Sequence, residues 1–212
     1  METLHRAIGV LATNVHLLAD ARSGEAIAID TAIPSLDWIR AELDARGWTL
    51  KLIVTTHGHW DHSGDNALVA EHTGARIAVH SLDAHRLTNP SPMWAPFDIP
   101  PCVPAVELAE GGEIRFGDIR LAVLHTPGHT EGSVCLLDKD GGRLYSGDTL
   151  FAGSFGRVDL PGGSPDAMLE SLDRLRRFDD PLQVLPGHGA STTIGRERPL
   201  LEWIAREGRL PT

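Results

Sequence analysis

Four residues able to bind a divalent cation, His57, His59, Asp61 and His62, fall within one stretch of six positions. Three more, His129, Asp148 and His188, each stand next to Gly or Pro at the end of an apolar run. Neutral imidazole is the commonest nitrogen ligand for borderline metals, and a histidine without a partner is expensive to bury. In an extended loop, residues i and i+2 project to one side, so His57 and His59 can share one ion while the following turn sends Asp61 and His62 to another. His129 then supplies a third nitrogen to the first ion, His188 completes the second, and Asp148 bridges the two. A hydroxide held between cations roughly 3.5–4 Å apart is a nucleophile at neutral pH, because even one Zn²⁺ lowers the pKa of bound water to about 7. The chemistry this implies is hydrolysis.

Such ligands need strand ends to hold them, and the apolar pattern provides these. Ile8–Val10, Val15–Leu18 and Ala26–Ile29 read as successive antiparallel strands, with Asp30 closing the third. Ser35 is the expected N-cap of an amphipathic helix that stops at Gly47, and the strand from Leu50 to Val54 leads straight into the first histidine cluster. The spacing predicts one helix from Gly64 to about Thr73, then a strand over Ala75–Val79 and a short helix over Leu82–Leu87. Asn89–Pro104 holds six prolines and reads as a long irregular loop. A second block repeats the rhythm with strands at Glu113–Phe116, Ile119–Leu124, Val134–Leu137 and Leu144–Ser146. A helix capped by Ser164, a strand over Leu182–Leu185 and a helix over about Glu197–Glu207 follow. Two strand sets with accompanying helices predict an α+β fold, a four-layer αββα sandwich with two mixed sheets, in a single domain over residues 1–212.

The balance of 19 basic against 29 acidic residues gives a formal charge of −10, which repels phosphate backbones and anionic membrane surfaces. No nucleic-acid or membrane partner is therefore expected, and the oligomeric state is left open. The polar N-terminus, with Glu2, His5 and Arg6, lacks the apolar centre of a signal peptide, and a cytoplasmic protein is expected. Cys102 and Cys135 are expected to be free thiols.

The sequence resembles the metallo-β-lactamase-fold hydrolases. The resemblance is carried by T-H-x-H-x-D-H at Thr56–His62, P-G-H-T at Pro127–Thr130, G-D-T-L-F at Gly147–Phe151 and P-G-H-G at Pro186–Gly189. It implies an αββα sandwich with two metal ions at one edge of the sheets, Zn²⁺ by default and Fe or Mn tolerated. His57, His59 and His129 would hold one ion and Asp61, His62 and His188 the other, with Asp148 bridging and Asp61 also orienting water or taking its proton. Asp30 is similar to an early aspartate that supports a metal-site histidine, and Asn14 and Ser133 are expected to fix loops.

Within that fold, Asp148 stands where the β-lactam-hydrolysing branch with a cysteine ligand has Cys, and the basic arm of the tRNA-processing branch and the flavodoxin-like extension of a diiron branch are not seen. The Gly156-Arg157-Val158-Asp159 segment is similar both to that of short bacterial glyoxalase II-like (hydroxyacylglutathione hydrolase-like) proteins and to that of persulfide dioxygenases, while Thr192-Thr193-Ile194-Gly195 and Glu197 resemble the short hydrolases more. The expected activity is cleavage of S-acylglutathione or a similar small thioester or ester by attack of the metal-held hydroxide, with Asp61 and Asp148 as catalytic carboxylates. Only 24 residues follow His188, where full-length glyoxalase II carries a helical domain with basic glutathione contacts, so the thiol carrier stays open. Arg157 is the expected cation for a substrate carboxylate, unless it pairs with Asp159. Trp60 and Phe155 are expected to wall the pocket, and Met93, Trp94 and Phe97 are further candidates. His5, His16, His72, His80, His85 and His125 lie off the motifs and read as structural. The alternatives are a persulfide dioxygenase binding one iron through His57, His129 and Asp148, and a lactonase or phosphoesterase of the same fold.

Overall fold

The computed structural model describes residues 1–90 and 98–211. The first half of the chain builds a six-stranded sheet in sequence order: β1 (Glu2–Ile8), β2 (Thr13–Ala19), β3 (Glu25–Ile29), β4 (Thr49–Val54), β5 (Arg76–His80) and β6 (Val106–Leu108). Its first three strands pair antiparallel and the rest run parallel to β3. The parallel pairs require crossovers, and α1 (Leu36–Arg46), α2 (Trp60–Ser63), α3 (Asn66–Thr73) and α4 (Ala84–Thr88) lie in them.

The second half builds another mixed sheet from β7 (Glu113–Phe116), β8 (Ile119–His125), β9 (Val134–Asp138) and β10 (Arg143–Gly147), then, after the ribbon of β11 (Leu150–Phe151) and β12 (Ser154–Phe155), β13 (Gln183–Pro186) and β14 (Thr192–Thr193). The order across it is β14-β13-β10-β9-β8-β7. Helices α5 (Pro165–Arg176) and α6 (Ile194–Glu207) accompany it.

Period-two alternation sorts the strand side chains into layers. On β3, Ile27 and Ile29 face the other sheet, where they meet Phe116, Leu121, Val123 and Leu136, while Ala26 and Ala28 face Ile39 and Leu43 of α1 and Val69 of α3. On β9, Val134 and Leu136 join the inter-sheet layer while Cys135 and Leu137 meet Met168, Leu172 and Leu175 of α5 and Leu201 and Ile204 of α6. Three apolar layers between two sheets and two helix pairs make the expected αββα sandwich. Each fully buried Leu or Ile contributes roughly 1.5–3 kcal/mol.

Two local expectations are corrected. The first strand begins at Glu2 rather than Ile8: it is an outer strand with mostly exposed side chains, so its ladder to β2 is not written in apolar residues. Ser35 precedes α1, but its hydroxyl does not cap it; the Asp65 carboxylate accepts from the Ser35 and Leu36 amides instead. The helix expected from Gly64 to about Thr73 is α3, which starts at Asn66; a separate short helix, α2, precedes it, and Asp65, its own amide bonded to Thr31 O, lies between the two. A short strand, β6, follows the proline-rich segment, pairing with β5. Both cysteines are free, and burial raises each thiol pKa to about 11. Among the described residues, no helix is long and apolar enough to cross a membrane.

Candidate metal centre

All seven expected ligands come together where the carboxyl ends of β4, β8, β10 and β13 meet the edge between the two sheets. In the second sheet β13 pairs parallel with β10, and β8 runs the same way because both β8 and β10 pair antiparallel with β9, so the ends of these three strands point in one direction. His57 and His59 follow β4, Asp61 and His62 form the first turn of α2, His129 follows β8, Asp148 follows β10 and His188 follows β13. Their ligand atoms fall into three overlapping triads, each spanning no more than 4.8 Å: His57, His59 and His129; His57, His62 and Asp148; Asp61, His62 and His188.

Bonds on the outer side of the rings fix which nitrogen turns inward. His129 Nδ1 lies 2.7 Å from the Arg157 carbonyl oxygen, His188 Nδ1 lies 3.1 Å from the Leu11 carbonyl oxygen, and His62 Nδ1 lies 2.8 Å from Asp30 Oδ2. Carbonyl and carboxylate oxygens only accept, so in a neutral ring the proton sits on Nδ1 and the Nε2 lone pair points into the centre. His62 Nε2 and His188 Nε2 are then 3.1 Å apart, with Asp61 Oδ2 3.1 Å from the latter and 3.4 Å from the former. Asp148 adds Oδ1 at 3.4 Å from His62 Nε2 and Oδ2 at 3.5 Å from His129 Nε2, and its buried Oδ1 has no hydrogen-bond partner. Acceptors facing acceptors at these distances repel unless a cation lies between them, so the donor set fits divalent metal.

The electrostatics agree. Burial opposes a charge on His62, yet Asp148, Asp61 and Asp30 outweigh it and raise its pKa to about 10. His57 is held well below the ordinary histidine value by burial and by its neighbouring histidines, and His59 is lowered to about 3 by burial and then by His129. Burial would raise Asp61, but His62 and His188 bring it below the usual carboxylate range. One end of the centre therefore favours positive charge strongly, while the other offers neutral imidazoles.

A model of the Metallo-beta-lactamase superfamily matches residues 8–188. The chain belongs to that superfamily. It is 38% identical over 197 residues to an uncharacterized protein of Aquifex aeolicus (strain VF5), covering 90% of this chain and 91% of that one. It is 36% identical over 188 residues to the hydroxyacylglutathione hydrolase of Maricaulis maris (strain MCS10), covering 88% of this chain but 66% of that enzyme. Among solved structures, the BLEG-1 B3 metallo-beta-lactamase superposes with a TM-score of 0.87 at 29% identity, over 94% of this chain and 99% of that one. TTHA1623, in a di-iron-bound form, gives 0.82 at 34% identity, over 92% and 96%.

The superfamily site in this chain opens into a cavity of about 790 Å³. Trp60, Phe155 and Arg157, the expected wall residues, all line it. Arg157 is not a bare cation: its Nε and one amino nitrogen each lie 2.7 Å from an oxygen of Asp159. Met93, Trp94 and Phe97 lie outside the described residues. Asp30 does support a metal-site histidine as expected, and it also accepts from the Thr56 amide and hydroxyl at 2.8 and 2.9 Å. Asn14 fixes the His188 loop by donating to Pro186 O and Gly189 O, and Ser133 bonds to Thr130 beside His129.

Sequence reading missed other contributors. His85, set aside as structural, lines the cavity, as do Leu11, Arg86, Phe151 and Leu160. The fully buried Asp83 accepts from the Gly58 and Gly132 amides and the Thr130 hydroxyl, clamping two ligand loops together. These three partners stand 25 to 49 residues away, so no local pattern announces the clamp. Leu11 is 52% exposed at the tip between β1 and β2, a position that reads as an ordinary turn until the tertiary fold brings it over His188.

Proposed function

We propose that this chain is a dinuclear metal-dependent hydrolase of the glyoxalase II-like kind, cleaving a small thioester. The observation that carries the reading is the pair of complete triads, His57-His59-His129 and Asp61-His62-His188, with the Asp148 carboxylate between them and its Oδ1 without a hydrogen-bond partner. His57, His59 and His129 would hold one cation and Asp61, His62 and His188 the second, with Asp148 shared. Zn²⁺ suits the N/O set, and Fe or Mn can occupy the same ligands. Bound divalent cations supply an activated water at neutral pH and polarise the substrate carbonyl.

The chain's own residues do the rest. Asp61, held ionised by His62 and His188, would be a ligand within its triad and the carboxylate at hand to accept a proton released there. Asp30, the Leu11 carbonyl and the Arg157 carbonyl hold three imidazoles in the tautomer that ligation needs. Trp60 and Phe155 wall the approach, exclude water and orient the acyl group. A thiolate is a good leaving group, so the absence of a further acid–base pair in the motifs is no obstacle to a thioester.

The names of the Maricaulis maris relative and its kind support the reaction class. A one-iron dioxygenase uses only part of this ligand set, and the intact Asp61-His62-His188 triad speaks for the dinuclear reading. The test is to assay the metal-replete protein against an S-acyl thioester panel, a chromogenic β-lactam and a glutathione persulfide under an oxygen electrode. Thioester turnover without oxygen uptake is expected. Oxygen uptake on the persulfide, or β-lactam hydrolysis with no thioesterase activity, would overturn the reading.

A further inference from the structure

Among the described residues, two guanidinium groups line the cavity over the metal centre, and both are already engaged. Arg157 makes its two-pronged contact to Asp159. The side-chain hydrogen bonds to Arg157 bring Asp159 to a pKa of about 2, so the pair stays ionised at any working pH. Arg86 bonds through Nη1 to Asp83 at 2.6 Å and through Nη2 to Glu131 at 2.6 Å and the Pro161 carbonyl at 3.0 Å. A substrate carboxylate entering here must displace one protein carboxylate to gain another, an exchange with little net gain at a half-exposed pair. The rest of the described wall is dominated by Leu11, Trp60, Phe151, Phe155, Leu160 and Pro161.

We propose that the cavity selects thioesters whose acyl group and thiol carrier are both uncharged and largely apolar, in preference to glutathione conjugates with their two carboxylates. The inference rests on the thioesterase reading and deepens it. Leu11 is the residue it singles out for specificity: its carbonyl fixes His188 while its exposed side chain lies at the cavity wall, so substrate contact and the metal-site loop share one residue. Asp159 acts at one remove. It occupies the cation that an anionic carrier would need, which makes it a determinant of what the site rejects.

The experiment compares S-hexanoyl-N-acetylcysteamine with S-hexanoylglutathione, equal in acyl chain and differing in carrier charge. Binding of the non-hydrolysable thioethers S-hexyl-N-acetylcysteamine and S-hexylglutathione to the metal-replete protein is measured by calorimetry alongside. The neutral thioester is expected to have kcat/KM at least about tenfold higher, through KM, in line with what apolar pocket contacts discriminate. Asp159→Asn, which frees Arg157, is expected to narrow that ratio several-fold, and Leu11→Ser to weaken the neutral thioether. Preference for the glutathione thioester, or an unchanged ratio in Asp159→Asn, would overturn the inference while leaving the thioesterase reading intact. Hydrolysis of neither thioester would remove that reading, and tighter binding of S-hexylglutathione in the same protein would then reject the selectivity independently.

Discussion

The carboxylate of Asp30 stands 2.8 Å from Nδ1 of His62, with the ring turned so that Nε2 faces Asp61, Asp148 and His188. Asp30 has φ +58, a left-handed backbone that Asp and Asn tolerate better than other side chains, and this conformation at the end of β3 lets one carboxylate reach both Thr56 and His62.

Asp30→Asn keeps that backbone and removes the charge. Loss of such a supporting contact typically lowers metal affinity or activity about 10–100-fold, and a fall of that size is expected at the Asp61-His62-His188 triad. Chelator titration followed by elemental analysis reads it, with the melting temperature in excess chelator separating a metal effect from a folding one. Wild-type retention of both metals would show that Asp30 merely closes a turn.

Gly187 explains the glycine before the last histidine. A Cβ there would meet the Asp148 carboxylate and the His62 ring, and the Gly187 amide and carbonyl already bond to Gly147 O and the Asn14 amide. Gly187→Ala is expected to cost at least about tenfold in kcat, since a displacement of a fraction of an ångström at a catalytic group is felt strongly. Gly189→Ala, two residues on with nothing within 4 Å of the new Cβ, strains only the backbone. Its effect is expected mainly on stability, measured by thermal unfolding. Equal loss of activity in both would point to loop strain rather than the Asp148 contact.

The seven ligands were legible because four of them crowd into Thr56–His62 directly after an apolar run and the other three each stand beside a glycine at a strand end. Asp30 was legible as the residue that closes β3 in the position of the family's early aspartate. Asp65 and Asp83 were not. Both are buried carboxylates that accept from the backbone of segments far along the chain, Asp65 from residues 35 and 36 and Asp83 from 58 and 132, and local periodicity carries no trace of such partners. The cavity wall was half legible: Trp60 and Phe155 flank ligand motifs, whereas Leu11 and Leu160 reach the site only through tertiary folding.

His16 provides a pH prediction away from the metals. Burial, and secondarily His5, lowers its pKa to about 3, so it stays neutral in the fold while the unfolded chain takes up a proton near its ordinary 6.5. Between these values the unfolded state binds more protons, and stability must fall as pH drops from about 6.5 toward 3. The ring packs edge-on against Tyr145 at 5.1 Å, which makes His16→Phe a suitable apolar replacement. Unfolding followed from pH 7 to pH 4 should show a smaller loss of stability in the variant than in the wild type. Parallel pH curves would mean that His16 takes up its proton without unfolding.

The proposed centre would hold two cations, and counting them tests it most directly. Protein purified without added metal, then loaded and desalted, is expected to hold about two divalent ions per chain by elemental analysis, falling to about one in His188→Ala, because the His57-His59-His129 triad stays whole. About one ion per chain in the wild type, unchanged by His188→Ala, would contradict the dinuclear account.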